Sequence, residues 1–178
     1  MRSLILAGGG IKVGYQAGCL QVLLDEVGLT FDHVDGASGG CFNAAMMCSG
    51  LTGKQIAVNW RNLNPFDMVA VNWREYYKLF WARSISTLDK LRTRVFPAWG
   101  LDWGRIRASR SPIATFNVYN FTRKRLEVVE NCELDQDLLV ASVLSWRFAD
   151  KIGLPTRGSR PPSSSRQRAS SDAGAATQ

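Results

Sequence analysis

Apolar residues in the first half of the chain fall into short runs broken by glycine. Leu4-Ile5-Leu6-Ala7 has the length of a buried strand, and Gly8-Gly9-Gly10 ends it at once. From Tyr15 to Val27 the period changes. Ala17, Leu20, Val22-Leu23-Leu24 and Val27 recur at helical spacing, and Gly28 stands where a helix C-cap would. Phe31–Asp35 predicts a second strand and Cys41–Met47 a second helix. The order strand, helix, strand, helix with short connections places the chain in the α/β class, with parallel pairing of the two strands.

Further on, residues 51–107 carry most of the aromatics, among them Trp60, Phe66, Trp73, Tyr76, Tyr77, Phe80, Trp81, Phe96, Trp99 and Trp103, interleaved with Arg and Lys. Asn72–Ile85 predicts a helix with an aromatic and a basic face. Such a mixture suits a lipid headgroup interface, but aromatic stripes at helical spacing usually pack inward, so a cap on the core is the favoured reading. Pro112–Asn120 and Arg125–Glu130 alternate as strands around a turn at Asn120–Lys124, and Asp135–Ser145 predicts another helix with Asp135 and Asp137 at its cap.

Length and composition narrow this picture. A chain of 178 residues suits one domain with a real core, and 46% hydrophobic and 21% charged residues are ordinary for a globular protein. The net charge of +7 is uneven: from Arg147 onward six Lys/Arg face two acids, which leaves +4 in the last 32 residues. Residues 146–178 are rich in Ser, Arg and Pro and poor in apolar residues, the composition of a disordered basic tail. The expected organisation is a domain over 1–145 followed by that tail.

Cys19, Cys41, Cys48 and Cys132 form no C-x-x-C pair and have no histidine at ligand spacing, so no metal site is expected. No secretory signal precedes the first glycines, and no run approaches the roughly 18 apolar residues of a membrane span. The expected setting is the cytoplasm, with peripheral membrane contact as the alternative, and nucleic acid is not an expected partner because no recognition module is present.

The chemistry concentrates at Gly36-Ala37-Ser38-Gly39-Gly40, a G-x-S-x-G pattern between the second strand and the second helix. Small residues on both sides of Ser38 are what a sharp strand-to-helix turn requires. In such an elbow, with Gly36 and Gly40 giving close packing, the serine hydroxyl is exposed at the positive end of a helix. The earlier glycine loop has two uses. As a dinucleotide cradle its spacing, Gly8, Gly10 and Gly14, is one residue too long for the G-x-G-x-x-G pattern. As an oxyanion hole, Gly8, Gly9 and Gly10 would aim backbone N–H groups at one point. If the first two strands are neighbours, that loop and Ser38 meet at one edge of the sheet. His33, the only histidine, lies within the preceding strand and reads as structural, so a base for Ser38 would be a carboxylate.

Two segments, Gly8-Gly-Gly-Ile-Lys-Val-Gly-Tyr-Gln-Ala-Gly18 and Asp35-Gly-Ala-Ser-Gly-Gly-Cys-Phe-Asn-Ala-Ala45, resemble the opening of a patatin-like phospholipase domain. The resemblance implies a three-layer α/β/α fold, hydrolysis of phospholipid or other lipid esters without a cofactor, and a Ser-Asp dyad with no histidine. By position it makes Ser38 the nucleophile and Gly8, Gly9 and Gly10 the oxyanion loop, with Lys12 where the family carries Arg or Lys. The family's catalytic aspartate belongs to a D-G-G or D-G-A motif after an Ala-Ser stretch. Ala141-Ser142-Val143 is similar to the start of that stretch, but the likeness stops at Ser145, and only Asp150 and Asp172 follow. The fold is therefore expected to be incomplete at its C-terminal side and the reaction impaired. A catalytically incomplete homologue that binds a lipid surface or a partner is the alternative function, and a nucleotide-binding βαβ unit is a third.

Overall fold

The computed structural model describes residues 1–64, 67, 70–71, 86–87, 90–120 and 123–143. Strands β1 (Ser3–Leu6), β2 (His33–Ala37), β5 (Ile113–Asn120) and β6 (Arg125–Glu130) form one sheet in the order β1-β2-β5-β6. The pairs β1–β2 and β2–β5 are parallel, with Leu4 beside Val34 and Val34 beside Ala114. β5 and β6 make the expected antiparallel hairpin, with Phe116 opposite Val129. A separate two-stranded piece joins β3 (Ala70–Val71) to β4 (Ser86–Thr87).

After β1 the chain makes a 3-10 turn (Gly10–Val13), then α1 (Gly14–Gln21), which runs into a π turn (Val22–Glu26). α2 (Gly40–Cys48) and α3 (Gly53–Arg61) follow β2. Beyond the β3–β4 segment come a π turn (Leu91–Val95), the short α4 (Phe96–Ala98) and α5 (Trp103–Ala108), and α6 (Gln136–Val143) follows β6. Gly28 has φ of +69°, as its place at a helix end requires. The stripe read through Tyr15–Val27 is broken, however: Ala17 and Leu20 are buried while Val22 and Val27 are exposed. The i→i+5 geometry that begins at Val22 shifts the helical phase and turns those two side chains to solvent.

α2 is buried at all nine of its positions. A helix apolar on every side belongs in the middle of a fold, and α2 packs against the sheet on one flank and α3 and α5 on others. Phe42 at its centre touches Trp60, Phe96 and Trp99, with ring centroids 5.6 to 6.3 Å apart. Three aromatics of the 51–107 segment are thus core residues. The helix predicted over 72–85, the expected boundary at 145/146 and the tail 146–178 lie outside the described residues.

α3 starts with a full capping box: Thr52 Oγ1 accepts from the Gln55 amide at 3.2 Å and Gln55 Oε1 accepts from the Thr52 amide at 2.8 Å. Asp25 adds to it by accepting from the Gly53 and Lys54 amides at 3.0 and 2.6 Å. At the start of α6, Asp135 accepts from the Leu138 amide at 2.8 Å, as its sequence position predicts. Asp137, read as a second capping residue, instead pairs with Arg92 at 2.7 Å.

The sheet is buried on one face only. Leu6, Val34, Ala114, Phe116 and Val118 point toward α2 and its neighbours. The opposite face carries Ile5, which is 76% exposed, together with Ile113, Tyr119, Leu126 and Val128, each more than 40% exposed. Both parallel crossovers step the same way across the sheet, and crossovers of one hand then place their helices on one side. The second helical layer of a three-layer arrangement has no counterpart among the described residues.

Asn131 ties these layers together from a nearly solvent-free position. Its Oδ1 accepts from the Ala114 amide at 3.0 Å, and its Nδ2 donates to the Ile106 and Ser109 carbonyls at 2.8 and 3.1 Å. Truncation would leave the buried Ala114 amide unpaired and strip the Ile106 and Ser109 carbonyls of a donor. Asn131→Ala is expected to lower stability by about 2–4 kcal/mol, read as a lower urea midpoint at unchanged slope.

Candidate active site

β2 ends in the elbow that the G-x-S-x-G pattern predicts. Ser38 has φ of +50°, a left-handed conformation that a residue with a side chain seldom adopts. The helix begins without a connecting loop: the Cys41 amide donates to the Ser38 carbonyl at 2.9 Å and the Phe42 amide to the Gly39 carbonyl at 3.1 Å. The free amides of α2's first turn therefore sit beside the serine.

The glycines around Ser38 are required by close approach. A Cβ on Gly36 would lie 2.9 Å from Cys41 Cα, and one on Gly40 would strike the Leu6 carbonyl. A Cβ on Gly39 would lie 2.9 Å from the Gly10 carbonyl oxygen. The first glycine loop is in contact with the elbow as well, since a Cβ on Gly8 would lie 3.0 Å from Ser38 Cβ and 3.7 Å from its Oγ. Adjacency of β1 and β2 thus brings Gly8, Gly9, Gly10 and Ser38 to one end of the sheet. Within the loop, Gly10 has φ of +57° and the Lys12 amide closes a turn on the Gly9 carbonyl at 3.1 Å. Lys12 itself is exposed.

Below the elbow, on the open face, lies a polar cluster. Asp35 accepts from Thr115 Oγ1 at 2.6 Å and from Asn117 Nδ2 at 3.1 Å on each of its oxygens. Asn117 Nδ2 also lies 3.0 Å from the Gly36 carbonyl, and Thr115 Oγ1 lies 3.1 Å from His33 Nε2. His33 thus has a structural partner on β5, in keeping with its place inside a strand. The sequence reading missed Thr115 and Asn117. Their signal was present as polar residues at alternate positions of an apolar strand, but their partners are about 80 residues away in the chain.

No carboxylate is offered to Ser38 by the described aspartates, because each is engaged elsewhere. Asp25 caps α3, Asp35 is held by β5, Asp102 accepts from the Arg105 amide at the start of α5, and Asp135 caps α6. Asp32 accepts from the Arg2 amide, Asp67 faces Lys90 and Arg94, and Asp137 pairs with Arg92. Asp89, Asp150 and Asp172 lie outside the described residues. Among the described residues, no three His, Cys, Asp or Glu side chains are grouped to hold a metal, and no helix is long and apolar enough to cross a membrane.

A cleft of about 590 Å³ lies at the other end of α2, lined by Gly50, Lys54, Asn59, Trp99, Asp102 and Arg105. It is separated from Ser38 by the length of that helix, about 13 Å at 1.5 Å per residue.

Cys41, three residues beyond Ser38, is no competing nucleophile. Burial pushes its thiol up to about 11, with a smaller push from the Asp35 charge, and burial does the same to Cys48. The unfolded thiols ionise near 9.0 whereas the folded ones keep their protons to about 11. Their contribution to stability is therefore complete below about pH 9 and lost as pH rises toward 11. Iodoacetamide at pH 8 is expected to modify the exposed Cys19 and Cys132 but to reach Cys41 and Cys48 only after denaturation, which mass spectrometry of the folded and unfolded chain would resolve.

The fold agrees with what comparison to known proteins finds. Full-length ExoU from the type III secretion system of Pseudomonas aeruginosa, crystallised with full-length SpcU, is similar over 82% of this chain and 38% of its own, at 16% identity and a TM-score of 0.50. A second crystal structure of the type III effector ExoU is similar over 80% of this chain and 40% of its own, at 18% identity and a TM-score of 0.47. At that identity the first of these likenesses is one of fold. The chain spans well under half the length of the solved structures it matches. No curated protein matches it in sequence. The family model of patatin-like phospholipases, however, matches residues 4–171. The chain therefore belongs to the patatin-like phospholipase family.

Proposed function

We propose that the protein is a serine acyl hydrolase acting on lipid esters, with Ser38 as nucleophile. The observation that carries this reading is the strained Ser38 backbone, φ +50°, with the bare Gly8 backbone packed against its side chain. Strain of this kind needs a reason, and a hydroxyl held out from a strand-to-helix turn is one.

In the proposed reaction Ser38 Oγ bonds to the ester carbonyl carbon while a carboxylate takes its proton, and the carbonyl oxygen becomes an oxyanion. Backbone N–H groups of Gly8–Gly10 are aimed at that charge, aided by the first turn of α2. The alcohol portion then leaves with the proton, and water, deprotonated by the same carboxylate, attacks the acyl carbon and releases the acid as the carboxylate returns that proton to Ser38 Oγ. The glycine loop supplies donors without side chains that would block the acyl group. The carboxylate would come from outside the described residues, and without it the reaction would lose the general-base contribution, typically about 10²–10⁴-fold.

A second reading, a lipid- or partner-binding homologue with little turnover, draws support from the engagement of every described aspartate elsewhere and from the uncovered sheet face. Labelling of the purified chain with a fluorescent fluorophosphonate separates the two. The hydrolase reading expects stoichiometric labelling that Ser38→Ala abolishes, with p-nitrophenyl butyrate hydrolysis falling to background in the same variant. A folded wild-type chain that takes no label sinks it. Liposome binding that survives Ser38→Ala would then favour the second.

A further inference from the structure

The glycine loop is flanked by the carbonyl of Ala7 just before it and that of Val13, the N-cap of α1, just after. Both are taken up by side-chain amides. Gln16 Nε2, in the first turn of α1, donates to the Ala7 carbonyl at 2.7 Å. Asn43 Nδ2, in α2, donates to the Val13 carbonyl and to Gln16 Oε1, each at 3.3 Å. Asn43 Oδ1 in turn accepts from Trp60 Nε1 of α3 at 2.6 Å. Asn43 is fully buried, in the helix that begins two residues after Ser38.

The direction of this chain of bonds is set at its buried end. An indole N–H can only donate, so the amide oxygen of Asn43 must face Trp60 and its NH2 must face Val13 and Gln16. The oxygen of Gln16 then faces Asn43, and its NH2 is left for Ala7. No amide in the series can flip without setting two donors against each other. A single indole thus fixes how the loop's leading carbonyl is held, three residues and two helices away.

We propose that Trp60, Asn43 and Gln16 form a directional donor relay that positions the Gly8–Gly10 loop against Ser38, which makes Gln16 and Asn43 positioning residues of the site. The proposal rests on the reading of Ser38 as nucleophile for its effect on rate, but not for its effect on the loop. The loop needs such help: its glycines have no side chains to anchor it, and a freely moving loop would spread its N–H groups over many directions. Anchoring both ends to α2 ties the loop to the element whose first turn follows the serine.

Gln16→Leu removes both bonds of the half-buried last member, keeps a good helix former of similar size and leaves Asn43 its bonds to Val13 and Trp60. The variant is expected to fold with an unchanged thermal midpoint. Backbone 15N order parameters at Gly9 and Gly10 are expected to fall from about 0.85 toward 0.6 or below. With p-nitrophenyl butyrate, kcat is expected to fall about 10-fold at unchanged KM, a fraction of the 10²–10³ that follows loss of a whole oxyanion donor. Asn43→Asp keeps the acceptor for Trp60 but donates nothing when ionised, and is expected to loosen the loop at least as much. Loop order parameters that stay at the wild-type value in folded Gln16→Leu overturn the relay, whatever the activity. A wild-type chain that neither labels nor turns over removes the proposed reaction, while the order parameters still decide whether the relay holds the loop.

Discussion

The structure depends on how closely α2 is allowed to approach the end of the sheet. Gly40 leaves no room for a Cβ beside the Leu6 carbonyl, and Gly36 leaves little beside Cys41. With side chains at those positions the helix would ride away from the strands. Phe42 would then leave its aromatic partners and Asn43 its contacts with the loop. Burial of all nine α2 residues follows from that approach, and so do the short reach between β2 and the helix and the left-handed Ser38 that this reach forces. The catalytic-looking geometry and the packing of the core are consequences of one steric permission.

Most of the frame was legible because it depends on local pattern. β1, β2 and the β5–β6 hairpin each announce themselves by short apolar or alternating runs, and the glycines about Ser38 mark a turn that few other residues could make. The patatin resemblance carried by residues 8–18 and 35–45 agrees with the family match over 4–171. What could not be read are relations between segments. Asn43 stands in an apolar helix where a polar residue needs a partner, but nothing nearby says the partners are Val13, Gln16 and Trp60. Val22 and Val27 keep a helical period that the backbone abandons for a π turn. Trp60, Phe96 and Trp99 could on composition belong to a membrane-facing stripe or, as is more usual, to a core, and packing against Phe42 places them in the core.

The aspartates illustrate a different limit. A dyad partner is recognised by distance, and a sequence offers only types and intervals. Seven of them prove to cap helices, bridge strands or pair with arginine, all common uses of a short carboxylate. Their engagement narrows the search for a base to segments beyond the described core, and it separates two properties that a family name tends to join, possession of the elbow and possession of the full reaction.

One-way winding of the strands has a consequence for how the sheet can grow. Among the described residues β1 is an edge, and its free side is the place where another parallel strand could be added. A chain returning there would have to travel back across the sheet, and a right-handed connection would then lay its helix over Ile5, Asp35 and Thr115. The direction of winding would reverse at β1. In open α/β sheets such a reversal opens a crevice at the carboxyl ends of the flanking strands, where ligands settle. The glycine loop and Ser38 already stand at that end. The exposed face and the candidate site are thus two views of one vacancy in the topology, and whatever fills the first would also form a wall of the second.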